Sequence, residues 1–133
     1  MNREAKQWMI KSDNDFKTVN ILINQKERDI VPDSVCFHSQ QCIEKLLKGF
    51  LVYHHIKFKR VHDLFYLVKL CESVDVQFKE LYTLIDELAY FAVNVRYPDS
   101  AYALDIKDAI SAFNAMEKGR QFILSKLTCG EFK

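Results

Sequence analysis

Three glycines and two prolines are all that interrupt 133 residues. Breakers this scarce leave little room for the tight turns of a sheet protein and favour long, nearly uninterrupted helices. Hydrophobic residues make up 49% of the chain and charged residues 28%, which is a globular balance rather than a disordered one. The length suits one domain with a core of its own. With no internal repeat, low-complexity segment or linker, residues 1–133 are read as a single domain.

The apolar positions recur at helical spacing. Ala5, Trp8, Met9, Ser12, Phe16, Val19 and Ile23 make one stripe of a first helix, from about Arg3 to Asn24. A polar connection holds Pro32, and Asp33 or Ser34 is expected to cap a second helix reaching about His55. Val35, Cys36, Cys42, Ile43, Leu46, Leu47, Phe50, Leu51 and Tyr53 spread over half of that helix. An arc so wide touches several neighbours, so this is expected to be the central helix. A short helix follows from about His62 to Glu72. Asp75 is placed to cap a fourth helix ending at Asn94 or Val95, with Phe78, Leu81, Tyr82, Ile85, Leu88, Ala89 and Ala92 inward. Asp105 is placed to cap a last helix to about Leu127, with Ile106, Ala109, Ile110, Phe113, Met116, Leu124 and Leu127 inward. No window alternates as a strand would. The expected fold is all-α, an up-and-down antiparallel bundle of four long helices plus one short helix.

The formal net charge is +1, so no global field draws the chain to nucleic acid or membrane, and such binding would need a local patch. No apolar run approaches the roughly 20 residues of a membrane span, and the N-terminus lacks the apolar region of a signal peptide. Cys36, Cys42, Cys71 and Cys129 include no C-x-x-C pair; they read as reduced thiols of a cytoplasmic protein. The histidines lack metal-ligand spacing, and neither metal nor cofactor is expected.

Several polar groups do not fit a plain core. Extending the fourth helix by one step brings Arg96 into line with Phe78, on the inner face. A guanidinium there needs a carboxylate or a phosphate, and Asp15, Glu44 and Asp99 are the carboxylates at hand. Gln41, Glu44, Lys45 and Lys48 form a row on the second helix that spacing alone assigns to solvent, with i, i+4 pairing. Ser39 turns towards the apolar side and reads as a small residue that allows close helix approach. "HHIKFKRVHD", residues 54–63, gathers Lys57, Lys59 and Arg60 around Phe58, a local candidate for phosphate contacts. Within it, His62 or Asp63 is placed to cap the short helix. Glu117 and Arg120, three apart on the last helix, read as a structural or interface pair.

The ordered pieces resemble a known family. Trp8, Ser12, Asp15 and Phe16 on the first helix, then "CFHSQQCIEKLLKGFL", "VHDLFYL" and "RYPD", follow the pattern of the HEPN domain (higher eukaryotes and prokaryotes nucleotide-binding), over roughly residues 3–127. The resemblance implies a helical bundle that dimerises, and a partnership with a minimal nucleotidyltransferase in a toxin–antitoxin-type system. It also implies a polar groove whose matching residues are Asp15, Gln41, Glu44, Lys45, Arg96 and Tyr97, available to a nucleotide or RNA. Many such domains are metal-independent ribonucleases, using an Arg followed four to six residues later by His. Here Arg96 fills the Arg position, but all four histidines precede it. The sequence therefore favours binding over cutting. The alternatives are a ribonuclease toxin centred on Arg96, with Asp99, Tyr97 or His62 moving protons, and a purely structural domain with Arg96 in an ion pair.

Overall fold

A computed structural model describes residues 1–95 and 103–127, with residues 92–95 described by their backbone alone. The elements are α1 (Arg3–Ile23), a 3₁₀ turn (Glu27–Asp29), α2 (Pro32–Tyr53), α3 (Leu64–Val74), a 3₁₀ segment (Val76–Leu81), α4 (Tyr82–Val95) and α5 (Ile106–Ser125). No strand occurs among the described residues. The long helices alternate in direction. The Asn2 side-chain amide reaches the Val52 carbonyl, while the Ser12 hydroxyl donates to the Cys42 carbonyl at 2.9 Å, so α1 and α2 are antiparallel. The Phe78 ring meets Phe122, and Leu84 lies beside Gly119, so α4 runs against α5. The expected up-and-down bundle of four long helices and one short one is the fold observed.

Each helix boundary has a local cause. Asn2 caps α1 by accepting from the Ala5 N–H. α2 begins at Pro32 itself, two residues before the earliest expected start, and neither Asp33 nor Ser34 caps it. Proline fits the first helical position because its missing N–H would have had no partner there. At the other end His54, His55 and Ile56 close α2. The His55 N–H donates to Val52 and the Ile56 N–H to Leu51, which satisfies two terminal carbonyls. That closure puts His55 at φ 60°, a left-handed conformation usually given to glycine. Asp63, rather than His62, caps α3, accepting from the Tyr66 N–H. Asp75 caps the 3₁₀ segment instead of α4. A 3₁₀ residue advances about 120° rather than 100°. Phe78 therefore cannot carry a helical phase into α4; Arg96 itself lies outside the described residues.

The core gathers on α2. Val35, Cys36, Cys42, Ile43, Leu46, Leu47, Phe50 and Leu51 are all buried. They pack against Val19 of α1, Leu67 and Val68 of α3, Ile85 and Leu88 of α4 and Met116 and Ile123 of α5. Burying each large side chain contributes roughly 1.5–3 kcal/mol. Two glycines set how closely helices approach. A Cβ at Gly49 would run into the end of Met9 and come within 3.2 Å of the Trp8 Cβ. One at Gly119 would meet Ile43 Cδ1 at 2.9 Å and Leu84 Cδ1 at 3.2 Å. The inner side of α5 is made largely of Ala109, Ala112, Ala115 and Gly119, small residues that let it lie close; Ile110, expected inward, is exposed. Burial raises the Cys36 thiol to about 12 and Cys42 to about 11, so both are neutral thiols. Cys129 lies outside the described residues. Among the described residues, no helix is long and apolar enough to cross a membrane.

Two expected outcomes follow from this packing. Gly49→Val should cost about 1–3 kcal/mol in urea unfolding, because two γ-methyls must push α1 away from α2; unchanged stability would contradict the close contact. His55→Gly should raise stability by about 0.5–1 kcal/mol, since relief of left-handed strain outweighs added unfolded-state freedom.

Candidate functional site

The polar row on α2 is not a solvated face. Glu44 and Lys48 are buried, and Gln41 and Lys45 are half-buried. The sequence places them opposite the apolar arc correctly, but α1 and the segment before α3 pack over that side. What results is two compact charge clusters on one helix.

The first cluster centres on Asp15 of α1, whose side chain is 9% exposed. Its Oδ2 accepts from Lys45 Nζ at 2.6 Å, and its Oδ1 lies 2.8 Å from His38 Nδ1. Both partners come from α2, seven residues apart and so on one side of the helix. The second cluster centres on Glu44, whose side chain is 3% exposed. Lys48 Nζ donates to its Oε2 at 3.0 Å, one turn along the helix. The Gln40 amide donates to Oε1 at 3.3 Å, and the Gln41 amide in turn donates to Gln40 Oε1 at 2.8 Å. From outside α2, His62 brings Nδ1 to 3.0 Å from Oε2 and 3.2 Å from Oε1. Lys48 also sits over the Trp8 ring, 5.3 Å from its centre, which ties this cluster to α1.

Each carboxylate thus has a lysine and a histidine, and each cluster neutralises its own charge. Asp15 and Glu44, anticipated as partners for Arg96, are held by other groups. Arg96, Tyr97 and Asp99 lie outside the described residues, so the described part of the expected groove is Asp15, Gln41, Glu44 and Lys45. The structure adds His38, Lys48 and His62 to these four. His38 was legible in principle, since it precedes Gln41 by three and Lys45 by seven, one turn before the polar row. His62 was named from the sequence, but its link to Glu44 was not legible, because it spans 18 residues and depends on how a loop folds back. Ser39 is buried with no hydrogen-bond partner among the described residues. Arg120, expected to pair with Glu117, instead reaches α1, at 3.6 Å from Asp13 Oδ1 and 3.8 Å from the centre of the Phe16 ring. Among the described residues, no three His, Cys, Asp or Glu side chains converge as a metal site.

Comparison with known proteins places this bundle. The family model described as HEPN domain matches residues 5–126. The chain belongs to the HEPN domain family. A protein of Methanocaldococcus jannaschii named "Putative toxin MJ1304" is 30% identical over 101 residues, covering 71% of this chain. The match spans 64% of that relative's own length. The crystal structure of ST0689, described as an archaeal HEPN homologue, superposes with a TM-score of 0.70 over 96% of this chain and 100% of its own, at 22% identity. The shared bundle is a matter of fold.

The clusters make a prediction about magnitude. Asp15→Ala should destabilise by about 1–3 kcal/mol, because the half-buried Lys45 and His38 lose their buried partner. Lys17→Ala removes only an exposed i, i+4 partner of Asp13 and should cost about 0.5 kcal/mol or less. Thermal unfolding of the two variants checks the contrast.

Proposed function

We propose that this HEPN-domain chain is a cytoplasmic nucleotide- or RNA-binding module of a toxin–antitoxin-type system, acting as a homodimer and paired with a minimal nucleotidyltransferase. The observation that carries the reading is the pair of charge clusters on α2, Asp15 with His38 and Lys45, and Glu44 with His62 and Lys48. Buried ion pairs are weak grounds for stability, since apolar residues of similar volume often serve as well or better. Six ionisable groups on the packed polar side of a core helix therefore fit a site better than a fastener. Family membership supports the reading, as does the relative whose name describes a toxin. The buried neutral thiols of Cys36 and Cys42 accord with a reducing compartment.

In this reading Asp15, Gln41, Glu44 and Lys45 form the fixed wall of the groove. Lys45 answers Asp15 and Lys48 answers Glu44, so the wall contributes shape and hydrogen bonds rather than net attraction. Attraction for phosphate falls to Arg96, which follows directly on α4 and whose planar guanidinium suits two phosphate oxygens at once. Tyr97, the next residue in sequence, would supply an aromatic ring for a base. With no histidine after Arg96 in the sequence, the reading is of a phosphate held rather than cut.

Fluorescence anisotropy with labelled single-stranded RNA and with labelled ATP tests the proposal. Arg96→Ala should weaken binding about 10- to 100-fold, the value of one charge-assisted pair. Sedimentation should show a dimer, and co-expression with a minimal nucleotidyltransferase should relieve growth inhibition. No binding of either ligand would overturn the reading.

A further inference from the structure

Where α1 and α5 flank α2, the two outer helices leave a cleft between them. Met9, Ser12 and Asp13 line it from α1, Leu46 from α2, and Arg120 and Leu124 from α5, around a volume of about 160 Å³. Arg120 decides its chemistry. The guanidinium lies over the Phe16 ring, 3.8 Å from the ring centre, and the side chain is 28% exposed. Asp13 Oδ1 stands 3.6 Å from one of its terminal nitrogens, beyond hydrogen-bond reach, while Asp13 Oδ2 is engaged by Lys17 at 3.1 Å. Among the described residues Arg120 makes no hydrogen bond. Lys45 and Lys48 differ, since each donates to a carboxylate, at 2.6 and 3.0 Å. An arginine carries several N–H donors in one plane, and a partly covered donor without a partner is costly. Arg120 is thus positioned by an aromatic face and a loose Coulombic contact, with its donors unspent.

The other lining groups define the ligand those donors suit. The Ser12 hydroxyl donates inward to the Cys42 carbonyl at 2.9 Å, so it brings no donor to the cleft. Met9, Leu46 and Leu124 supply an apolar wall. An apolar cavity of about 150 Å³ accommodates benzene, so the space here fits a single ring or a short branched chain. The charges narrow the choice. Arg120 and Lys17 are two cations against the one carboxylate of Asp13, a surplus of one. A single negative charge satisfies that surplus, whereas a phosphate dianion would stand against Asp13.

We infer that this cleft binds a small monocarboxylate with an apolar body, its carboxylate on the Arg120 guanidinium and its body against Met9, Leu46 and Leu124. The planar guanidinium presents two parallel N–H groups to the two carboxylate oxygens. The ligand replaces the loose contact with Asp13, which keeps Lys17 as its partner. Bound there, it joins α1 to α5 across α2. Because the cleft exists only in the folded chain, occupancy stabilises the bundle in proportion to ligand concentration. The site stands apart from the Asp15 and Glu44 clusters, since Asp15 turns to His38 and Lys45 instead. It therefore depends on neither nucleotide nor RNA binding.

Titration calorimetry and methyl NMR on the full chain test this, with benzoate and 4-methylpentanoate as probes and benzamide and inorganic phosphate as controls. At least one of the acids should bind with a Kd of about 1 mM or tighter and raise Tm as its concentration rises. Benzamide and phosphate should bind at least about tenfold more weakly. The Met9 methyl resonance should move as the acid is added, while that of Met116, fully buried elsewhere on α5, should stay. Arg120→Lys keeps the charge but loses the paired donors, and should weaken the acid about tenfold. Arg120→Gln should erase the difference between benzoate and benzamide. Leu124→Phe, which fills the cleft with Arg120 intact, should weaken both acids. Should the Arg120 variants fail to fold, the benzoate and benzamide comparison and the Met9 shift on wild type still decide. Binding of neither acid, benzamide binding as tightly as benzoate, or a shift at Met116 without one at Met9 overturns the inference. Each of these outcomes leaves the nucleotide- or RNA-binding module to its own test.

Discussion

Everything in this bundle depends on α2 being packed on nearly every side. Its apolar arc meets α3, α4 and α5, and α1 lies against it closely enough to exclude a side chain at Gly49. A helix so enclosed has little solvent left for polar residues. Glu44 and Lys48 are therefore buried with their charges, and each must be answered within a few ångströms. The Glu44 cluster and the Asp15 cluster are the answer, and they draw in residues from α1 and from the loop before α3. The same enclosure that builds the core also assembles the polar wall.

The two clusters differ in what they leave accessible. Around Asp15, both α2 partners lean against α1 and the histidine is two-thirds covered. Around Glu44, the carboxylate is sealed inside while its histidine stands largely in solvent. Coulombic pairing accounts for both, but only the second joins a fixed anchor to a free ring nitrogen.

Much of the fold was legible in the chain. Scarce glycine and proline, together with apolar spacing near 3.6, lead to five helices and to α2 as the central one. These are local properties, repeated over many residues, and they survive small errors of phase. The boundaries were less legible. Pro32 starts α2 through its missing N–H, and Asp75 caps a 3₁₀ segment whose tighter winding breaks the phase carried from Phe78. Such details turn on single hydrogen bonds that compete closely with their alternatives.

The candidate site divides along the same line. The sequence by itself determined which ionisable residues share a side of α2, because a helix's geometry dictates that Gln41, Glu44, Lys45 and Lys48 lie in one row. It also determined the family pattern and the missing histidine after Arg96. Only the tertiary structure decided whether that row met water or protein. Exposure belongs to the neighbours that pack across a helix, and here those are α1 and a loop that returns 18 residues later. His62 reaches Glu44 through that return alone, a contact between distant parts of the chain that no local periodicity encodes.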